Sequence, residues 1–278
     1  MSTFDPERFK QQERAGFNLI ADRYERACEA LGAVQARMLQ LAQLSMDQSV
    51  LDAASGPGLL ARAAARSVGR ARIVAFDLAE DALAIGRERA AAEGLSAIDF
   101  QKGDAEQLPF NDASFDCVLC GLGLMHFPDA AAAAREMFRV LKPGGRFVAS
   151  VWGERNDVPF LSCALAVIER NLPPPRIERP SMFRFGDPDV LRRMLQECGF
   201  TAIDIERATI TPAPTDAASY WQGFLDLAGV TTVALTKLPQ ETQDLLAADV
   251  SRDLAPYLSA GAYHLSSVVL IAAAQKPM

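Results

Sequence analysis

Residues 49–61 read Ser-Val-Leu-Asp-Ala-Ala-Ser-Gly-Pro-Gly-Leu-Leu-Ala, and this stretch decides the fold. A short apolar run passes through small residues into an alanine-rich segment that ends near Val68, which predicts a strand, a tight loop and a helix. Gly56 and Gly58 let the backbone turn sharply and let a ligand approach closely, and Pro57 suits the first turn of a helix. Because helix N-termini favour negative charge, the loop is suited to a carboxylate or a phosphate.

The glycine spacing matches a nucleotide-binding pattern. Residues 56–61 satisfy G-x-G-x-x-G/A, and Asp77 follows about twenty positions later at the end of a second apolar run, residues 73–76. At that position a carboxylate can accept hydrogen bonds from ribose hydroxyls. These two features together predict a cofactor that carries a nucleoside, but they do not distinguish one such cofactor from another.

Composition narrows the class of protein. The chain has 278 residues, half of them hydrophobic, which is enough for one large α/β domain with appendages or for two small domains. Its net charge of −7 argues against nucleic acid as the main partner, because binding a phosphate backbone needs a basic face. We therefore expect a small-molecule substrate.

The cysteines and the N-terminus indicate a compartment. Five cysteines are scattered along the chain, and Cys117-x-x-Cys120 lies inside an apolar, strand-like run, so we expect buried thiols and no metal site. Residues 1–17 are polar and charged, unlike a signal peptide, and no apolar run reaches membrane-spanning length. The sequence thus predicts a cytoplasmic protein without stable membrane insertion.

The first 45 residues are predicted to form a helical cap. Helical periodicity extends over residues 6–42, and one face carries Phe17, Ile20, Ala21 and Tyr24. This cap either stabilises the fold or acts as a lid that covers a substrate, and Phe17 and Tyr24 are the candidate substrate contacts.

Residues 46–278 are predicted to form the main domain, in which strands alternate with helices. Such repeated βαβ units predict an α/β, Rossmann-like, doubly wound parallel sheet. Predicted strands lie at 73–77, 98–101, 114–119, 146–152, 202–211 and 264–274, with a turn at 143–145. The regular alternation of strands and helices ends after Trp152, and the segments 153–185 and 212–258 are predicted to be lid or insert segments.

Five ordered motifs resemble those of a known family. The chain is similar to class I S-adenosylmethionine-dependent methyltransferases, and most of all to the ubiquinone and menaquinone biosynthesis branch. The resemblance covers residues 45–152 well and the rest in outline. It rests on Val50-Leu51-Asp52-x-x-Ser55-Gly56-x-Gly58, on Asp77, on Gly103-Asp104-Ala105-x-x-Leu108-Pro109-Phe110, on Ser114-Phe115-Asp116-x-Val118 and on Leu141-Lys142-Pro143-Gly144-Gly145.

The resemblance implies a fold, a cofactor and roles for particular residues. The sheet would have seven strands, the last one antiparallel, and the cofactor would be S-adenosylmethionine, with S-adenosylhomocysteine as product. Asp77 would bind the ribose, Asp104 and Ala105 the adenine, and the loop after the first strand the amino-acid end. The implied cofactor contacts are Asp52, Ala53, Ala54, Ser55, Gly56, Gly58, Asp77, Leu78, Asp104, Ala105, Gly121 and Leu122.

Ala54 departs from the family pattern, which usually has glycine there. Its methyl group is tolerable if φ is negative, but it narrows the room beside the methionine part of the cofactor.

The acceptor of the methyl group is predicted from histidine and aromatic residues. His126 follows the fourth strand, at the ligand end of the sheet, and is the candidate general base; the alternative is a structural histidine bonded to the loop backbone. Trp152, Phe183 and Trp221 join Phe17 and Tyr24 as candidate substrate contacts, which favours an apolar or aromatic acceptor methylated on carbon or oxygen.

Two other functions share part of the pattern. An NAD(P)-dependent oxidoreductase would account for the glycine loop and Asp77, and a non-catalytic methyltransferase-like binding protein would account for Ala54. The oligomeric state is open, with a homodimer as one candidate.

Overall fold

The computed structural model describes residues 4–68, 72–95, 97–174 and 179–278. Within these residues seven strands form one sheet, and two short strands, β7 (Leu258–Ser259) and β8 (Ala262–Tyr263), form a separate hairpin. The strands of the large sheet are β1 (Ser49–Ala53), β2 (Arg72–Asp77), β3 (Ile98–Lys102), β4 (Phe115–Gly121), β5 (Leu141–Trp152), β6 (Thr201–Ile210) and β9 (Ser267–Gln275).

The order of the strands creates a crevice at one edge of the sheet. The order is β3-β2-β1-β4-β5-β9-β6, and neighbouring strands are parallel except that β9 runs antiparallel to both β5 and β6. Strand order reverses between β1 and β4, where ligands bind beyond the carboxyl ends in open α/β sheets. The predicted Rossmann-like sheet of seven strands, mostly parallel with an antiparallel last strand, is confirmed.

Helices flank this sheet, and none in the described part of the chain is long and apolar enough to cross a membrane. Asp5 caps the first helix by accepting a hydrogen bond from the Arg8 amide at 3.1 Å, and Pro6 occupies its first position. The helices are α1 (Pro6–Ala27), α2 (Gly32–Ala42), α3 (Leu59–Val68), α4 (Glu80–Ala92), α5 (Ala130–Val140), α6 (Pro159–Asn171), α7 (Pro188–Glu197), α8 (Ala217–Leu227), α9 (Gly229–Leu235) and α10 (Gln240–Asp253).

The core lies on the two central strands. Val50 and Leu51 in β1, and Val118 and Leu119 in β4, have no exposed surface. A parallel sheet covered on both faces has continuous apolar strands, which explains why these runs do not alternate between apolar and polar residues. Polar groups that serve a ligand therefore concentrate at the strand ends and in the loops that follow them.

Strand β5 begins earlier than the sequence predicted. Phe115 pairs with Leu141 and Cys117 pairs with Arg146, so residues 142–145 bulge out of the ladder, and Gly144 has a φ of 74°. The predicted turn at 143–145 is therefore a bulge within a strand, where glycine supplies the left-handed conformation.

A close helix crossing positions α1. Gly16 of α1 meets Gly229 at the start of α9 so closely that a Cβ atom on Gly229 would lie 2.6 Å from the Gly16 carbonyl carbon. The sequence did not predict α9, because its valine and threonine residues are weak helix formers and packing against α1 stabilises it. This crossing places α1 over the carboxyl edge of the sheet.

Candidate functional site

The loop after β1 turns sharply through residues in the left-handed region. Ala54, Gly56 and Gly58 all have positive φ angles, of 57°, 53° and 71°. A Cβ atom on Gly58 would lie 2.8 Å from the Phe100 ring, so glycine is required there for packing as well as for conformation. The loop turns the chain within a few residues and leaves a hollow beyond the end of β1.

Asp77 ties the end of β2 to this loop. Its Oδ2 accepts a hydrogen bond from the Gly56 amide at 2.7 Å, and its Oδ1 accepts one from the Ala79 amide at 2.7 Å. Burial raises the pKa of Asp77, while these backbone donors oppose that rise. Asp77 and Gly56 therefore lie on the same edge of the sheet, as an adenosine site requires.

Asp52 is the most buried polar group of the site, with 1% of its surface exposed. Its Oδ2 accepts a hydrogen bond from the Ala61 amide at 2.9 Å, but among the described residues neither its Oδ1 nor the Ser55 hydroxyl has a hydrogen-bond partner. Burial raises the pKa of Asp52 to about 8. Unpartnered buried polar atoms are costly, so these two atoms fit the ammonium and carboxylate groups of an amino-acid ligand.

Ala54 adopts the conformation that the sequence analysis regarded as unfavourable for it. Its φ of 57° lies in the left-handed region, so the condition of a negative φ is not met, and the residue costs the fold about 1 kcal/mol. The methyl group lies against Gly123, where an added Cβ would come within 2.8 Å of it. The Ala54 side chain therefore occupies space beside the loop that follows β4.

Asp104 lies on the same edge, but a cation from α1 is bound to it. Lys10 Nζ lies 2.6 Å from Asp104 Oδ2 and 2.6 Å from a carboxylate oxygen of Glu106. Burial lowers the pKa of Lys10, but its two carboxylate partners outweigh that effect and raise it overall. An adenine amino group that binds Asp104 has to share this carboxylate with Lys10.

His126 follows β4 in a short 3-10 helix, Leu124–His126. Its Nδ1 lies 3.0 Å from Glu13 Oε2 on α1, and the Phe17 ring packs edge-on against the imidazole with 5.2 Å between centroids. Sequence analysis left a bond to the loop backbone as the alternative, whereas the contact in the structure is with a carboxylate from α1. His126 therefore links the sheet edge to the N-terminal helix.

Two cavities meet at this edge. The first, of about 720 Å³, is bounded by the glycine loop, Ser150 and the apolar side chains Leu31, Val34 and Met38. The second, of about 540 Å³, lies over the ends of β2 and β3. The residues that line both cavities are Phe17, Ala54, Asp77 and His126.

Most predicted site residues come together at these cavities. The first cavity receives Tyr24, Asp52, Ser55, Gly56, Gly121 and Leu122, and the second receives Leu78, Asp104 and Ala105, besides the four shared residues. Leu122 has a φ of 52°, and its amide already donates to the Ser150 carbonyl at 3.0 Å. The described predicted residues that line neither cavity are Ala53, Gly58, Trp152, Phe183 and Trp221.

The three aromatic residues among these lie elsewhere. Trp152 is buried at the end of β5, where it pairs with Val269, and Trp221 stacks on Phe224 with 5.5 Å between ring centroids. Phe183 is half-buried in the turn before α7. Of the described residues in segments 153–185 and 212–258, none lines either cavity.

Lys10 and Glu13 of α1 and the apolar residues of α2 also reach the site, although the sequence did not predict them there. Glu13 and Lys10 are charged residues near the buried stripe of α1, and Glu13 is only 8% exposed. Glu13 lies four residues before Phe17 and therefore on the same face of the helix. A charged residue on a buried face needs a partner, and this was the available sign that Glu13 contacts another part of the chain. The sequence of α2 gave no comparable sign of a site, because apolar residues at helical spacing are equally typical of a hydrophobic core.

Taken together, the fold and site define a methyltransferase that binds S-adenosylmethionine. The positive-φ loop, the buried Asp52 and Ser55 atoms and the carboxylate at the end of β2 lie together at the carboxyl edge of the sheet. A methyltransferase domain model matches residues 50–145, which include all of these groups.

Sequence relatives define the family of this chain more narrowly. It is 30% identical over 211 residues to the ubiquinone/menaquinone biosynthesis C-methyltransferase UbiE of Pseudomonas putida, an alignment that covers 69% of this chain and 82% of the relative. The corresponding Escherichia coli protein is 33% identical over 175 residues, or 58% of this chain and 70% of the relative. The chain belongs to the class I S-adenosylmethionine-dependent methyltransferases and is UbiE-like.

Solved structures agree on the fold. A putative methyltransferase from Bacillus halodurans is 25% identical and superposes with a TM-score of 0.58, covering 89% of this chain and 100% of that one. A phosphoethanolamine N-methyltransferase from Haemonchus contortus, in complex with S-adenosyl-L-methionine, has a TM-score of 0.57 at 21% identity and covers 89% of this chain and 53% of that one. These structures show the fold, and the family model with the UbiE relatives shows that the chain is an S-adenosylmethionine-dependent methyltransferase of a small molecule.

Proposed function

We propose that the chain methylates an apolar or aromatic small molecule on carbon or oxygen, and that the acceptor binds in the first cavity. The observation that carries the proposal is the apolar wall of that cavity, formed by Leu31, which directly precedes α2, and by Val34 and Met38 of α2, beside the loop after β1. Small-molecule sites are lined mainly by such groups, with a few polar atoms for orientation. The names of the UbiE relatives, which act in quinone biosynthesis, support the same class of acceptor.

In this proposal different residues bind different parts of the cofactor. Asp52 and Ser55 hold the amino-acid end of the cofactor, Asp77 holds the ribose, and Asp104 with Ala105 holds the adenine. S-adenosylmethionine supplies a methyl group that is already activated on a sulfonium sulfur. The protein therefore has mainly to orient the acceptor and to exclude water, and orientation alone contributes several kcal/mol to such reactions.

His126 is the proposed general base. An acceptor hydroxyl or an activated ring carbon must lose a proton on methylation, and His126 lines both cavities where they meet. Phe17 and Tyr24 of α1 are the proposed covers of the reacting groups. Burial raises the pKa of Tyr24 well above its ordinary value, so the phenol remains a neutral hydrogen-bonding group.

Other properties are proposed on narrower grounds. Residues 1–45 act as a cap, and the aromatic residues Trp152, Phe183 and Trp221 contribute to the acceptor site only if the segments 153–185 and 212–258 close over it. All five cysteines are buried free thiols, which supports a reducing, cytoplasmic location. The net charge of −7 supports small molecules over nucleic acid as partners, and a homodimer is a further proposal.

An acceptor panel tests the proposed function. The protein is incubated with methyl-labelled S-adenosylmethionine and either tail-bearing hydroquinones and 1-naphthol or the charged amines phosphoethanolamine and glycine, and products are identified by mass spectrometry. We expect labelled product only from the aromatic hydroxyl compounds, because the cavity wall is apolar. Turnover of the charged amines alone would overturn the proposal.

A matched pair of variants locates the acceptor. Val34→Phe narrows the α2 side of the first cavity, so we expect the KM of the aromatic acceptor to rise about tenfold, while S-adenosylhomocysteine, held at the opposite side by Asp52 and Ser55, loses clearly less affinity. Leu245→Phe makes the same kind of change at a side chain that is 52% exposed, and it should leave both quantities unchanged. Equal effects of the two variants would place the acceptor elsewhere.

A further inference from the structure

We infer that Glu13 of α1 is a positioning residue for His126, which it holds in the tautomer whose Nε2 takes a proton from the acceptor. The inference deepens the proposed function and rests on it, since it gives His126 the role of general base. It concerns a residue on the N-terminal helix, 113 positions away from the histidine that it contacts. Three observations support it.

The first observation is the geometry of the contact. Glu13 Oε2 lies 3.0 Å from His126 Nδ1. An ionised carboxylate only accepts hydrogen bonds, so the proton of a neutral imidazole must lie on Nδ1, and the lone pair must lie on Nε2. A histidine with Nε2 unprotonated is able to act as a base from that nitrogen, in the way that a carboxylate orients histidine in hydrolytic triads.

The second observation is that Glu13 is itself held in place. Only 8% of its surface is exposed, and its Oε1 accepts a hydrogen bond from Arg179. The Arg179 guanidinium in turn lies over the Phe9 ring, 4.9 Å from its centroid. One carboxylate oxygen is therefore occupied by a cation, and the other is directed to the imidazole.

The third observation is that the backbone around His126 is fixed. The His126 amide donates to the Gly123 carbonyl at 2.9 Å, and the Arg184 guanidinium donates to the carbonyls of Leu124, at 3.0 Å, and Phe127. With the loop fixed and the Phe17 ring edge-on against it, the imidazole has little freedom to turn away from Glu13. A base held in this way loses little entropy when the acceptor binds.

The proton balance of the step follows from this arrangement. The nucleophilic atom of the acceptor forms a bond to the methyl carbon, the electron pair of the broken S–CH3 bond stays on sulfur, and the acceptor proton goes to His126 Nε2. The imidazolium that forms keeps its proton on Nδ1, hydrogen-bonded to Glu13, and the negative charge of Glu13 stabilises it. The other charged groups that line the cavity around this pair are Lys10, Arg14, Asp77 and Asp104.

Histidine NMR tests the inference without an acceptor. The chain contains two histidines, His126 and the exposed His264, so ¹⁵N-histidine labelling with a His264→Asn variant assigns both rings. Long-range ¹H–¹⁵N spectra at a pH where the rings are neutral show which nitrogen carries the proton. We expect the Nδ1–H tautomer at His126 in the wild type and its replacement by the Nε2–H tautomer in Glu13→Ala.

Two further variants separate positioning from structural support. Glu13→Gln keeps an oxygen that accepts from Nδ1, so we expect it to restore the Nδ1–H tautomer that Glu13→Ala loses. Arg179→Met removes the other partner of Glu13 and should also keep that tautomer. S-adenosylhomocysteine binding, measured on every variant, shows that each one has folded.

The outcomes distinguish this inference from the proposed function. An Nε2–H tautomer at His126 in the wild type, or an unchanged tautomer in a folded Glu13→Ala protein, would overturn the inference whatever acceptor is used. If the tautomer results are as expected but the aromatic panel gives no product, the positioning role stands and the proposed acceptor class falls. With an active aromatic acceptor, Glu13→Ala should lower kcat while leaving the KM for S-adenosylmethionine unchanged, and Glu13→Gln should restore part of the loss.

Discussion

The site has two walls that are held together in different ways. The sheet wall consists of Asp52, residues 54–56 and Asp77, and its carboxylates accept backbone hydrogen bonds from residues 9, 21 and 2 positions away. The helix wall consists of Lys10, Glu13, Phe17 and Tyr24 of α1. Its polar side chains bind partners that are 94, 113 and 166 positions away.

This difference indicates which parts of the site are rigid. Backbone amides at the ends of packed strands cannot move without disturbing the sheet, so the sheet wall is preformed. Long side chains on α1 hold the helix wall through ion pairs, and single substitutions can remove those pairs without disturbing a strand. We therefore expect substitutions in the sheet wall to change cofactor affinity strongly and substitutions in the helix wall to change it modestly.

The largest effect is expected at Asp77. Asp77→Asn replaces a charged acceptor by a neutral amide, and we expect the affinity for S-adenosylhomocysteine to fall about tenfold or more, or about 1.4 kcal/mol. Calorimetric titration measures this change. The matched control is Asp116→Asn, because Asp116 also accepts a backbone amide, from Ser49 at 2.8 Å, but lies near the amino ends of the strands. Equal losses in the two variants would mean that Asp77 only supports the fold.

An intermediate effect is expected from the ionisation of Asp52. Its pKa rises from 3.8 to about 8 because of burial, so in the free protein the carboxyl is mainly protonated at neutral pH. The unfolded chain has the lower pKa, so Asp52 contributes stability at acidic pH that is lost as the pH rises from about 4 to about 8. A ligand ammonium favours the ionised form, and binding should therefore release a proton below about pH 8.

Calorimetry detects this proton directly. Titrations with S-adenosylhomocysteine in phosphate and in Tris buffer should differ in heat by the ionisation of the buffer, and affinity should rise by up to about tenfold per pH unit below pH 8. Asp52→Asn should remove both the buffer difference and this pH dependence. If the wild type shows the same heat in both buffers at neutral pH, Asp52 does not meet the ammonium group.

The smallest effect is expected at Lys10, in the helix wall. Lys10 competes for Asp104, and its side chain is partly exposed, so we expect Lys10→Met to raise the affinity for S-adenosylhomocysteine by only about two- to fivefold. The gain should shrink at high ionic strength because salt weakens the original ion pair. Lys142→Met is the control, since Lys142 pairs with Asp116 near the amino ends of the strands at 2.8 Å. A loss of affinity in Lys10→Met would show that Lys10 assists binding instead of competing with it.

The sheet wall was predictable from the sequence because it depends on short-range patterns of residues. Gly56, Asp77 and Asp104 follow strands at characteristic spacings, and parallel strands place their ends on one edge. The helix wall was only partly predicted: periodicity identified the buried stripe with Phe17 and Tyr24, but not the partners of Lys10 and Glu13. The aromatic residues Trp152, Phe183 and Trp221 were predicted from residue type and from their place in or beside the expected lid segments, and the structure does not bring them to the two cavities.

Ala54 shows the same limit at a single residue. Its identity was clear from the sequence, but the sign of its φ depends on how the loop packs against Gly123 and the end of β4.

The sequence by itself determined the succession of the seven strands of the large sheet, the glycine loop and the carboxylates at the strand ends, because each depends on neighbours a few residues apart. Only the tertiary structure decided which face of α1 meets the sheet, where the Gly16–Gly229 crossing places that helix, and that Glu13 reaches His126. Those contacts depend on packing between distant parts of the chain. Side-chain partners across such distances are chosen by the geometry of the folded core, and residue spacing along the chain does not record that geometry.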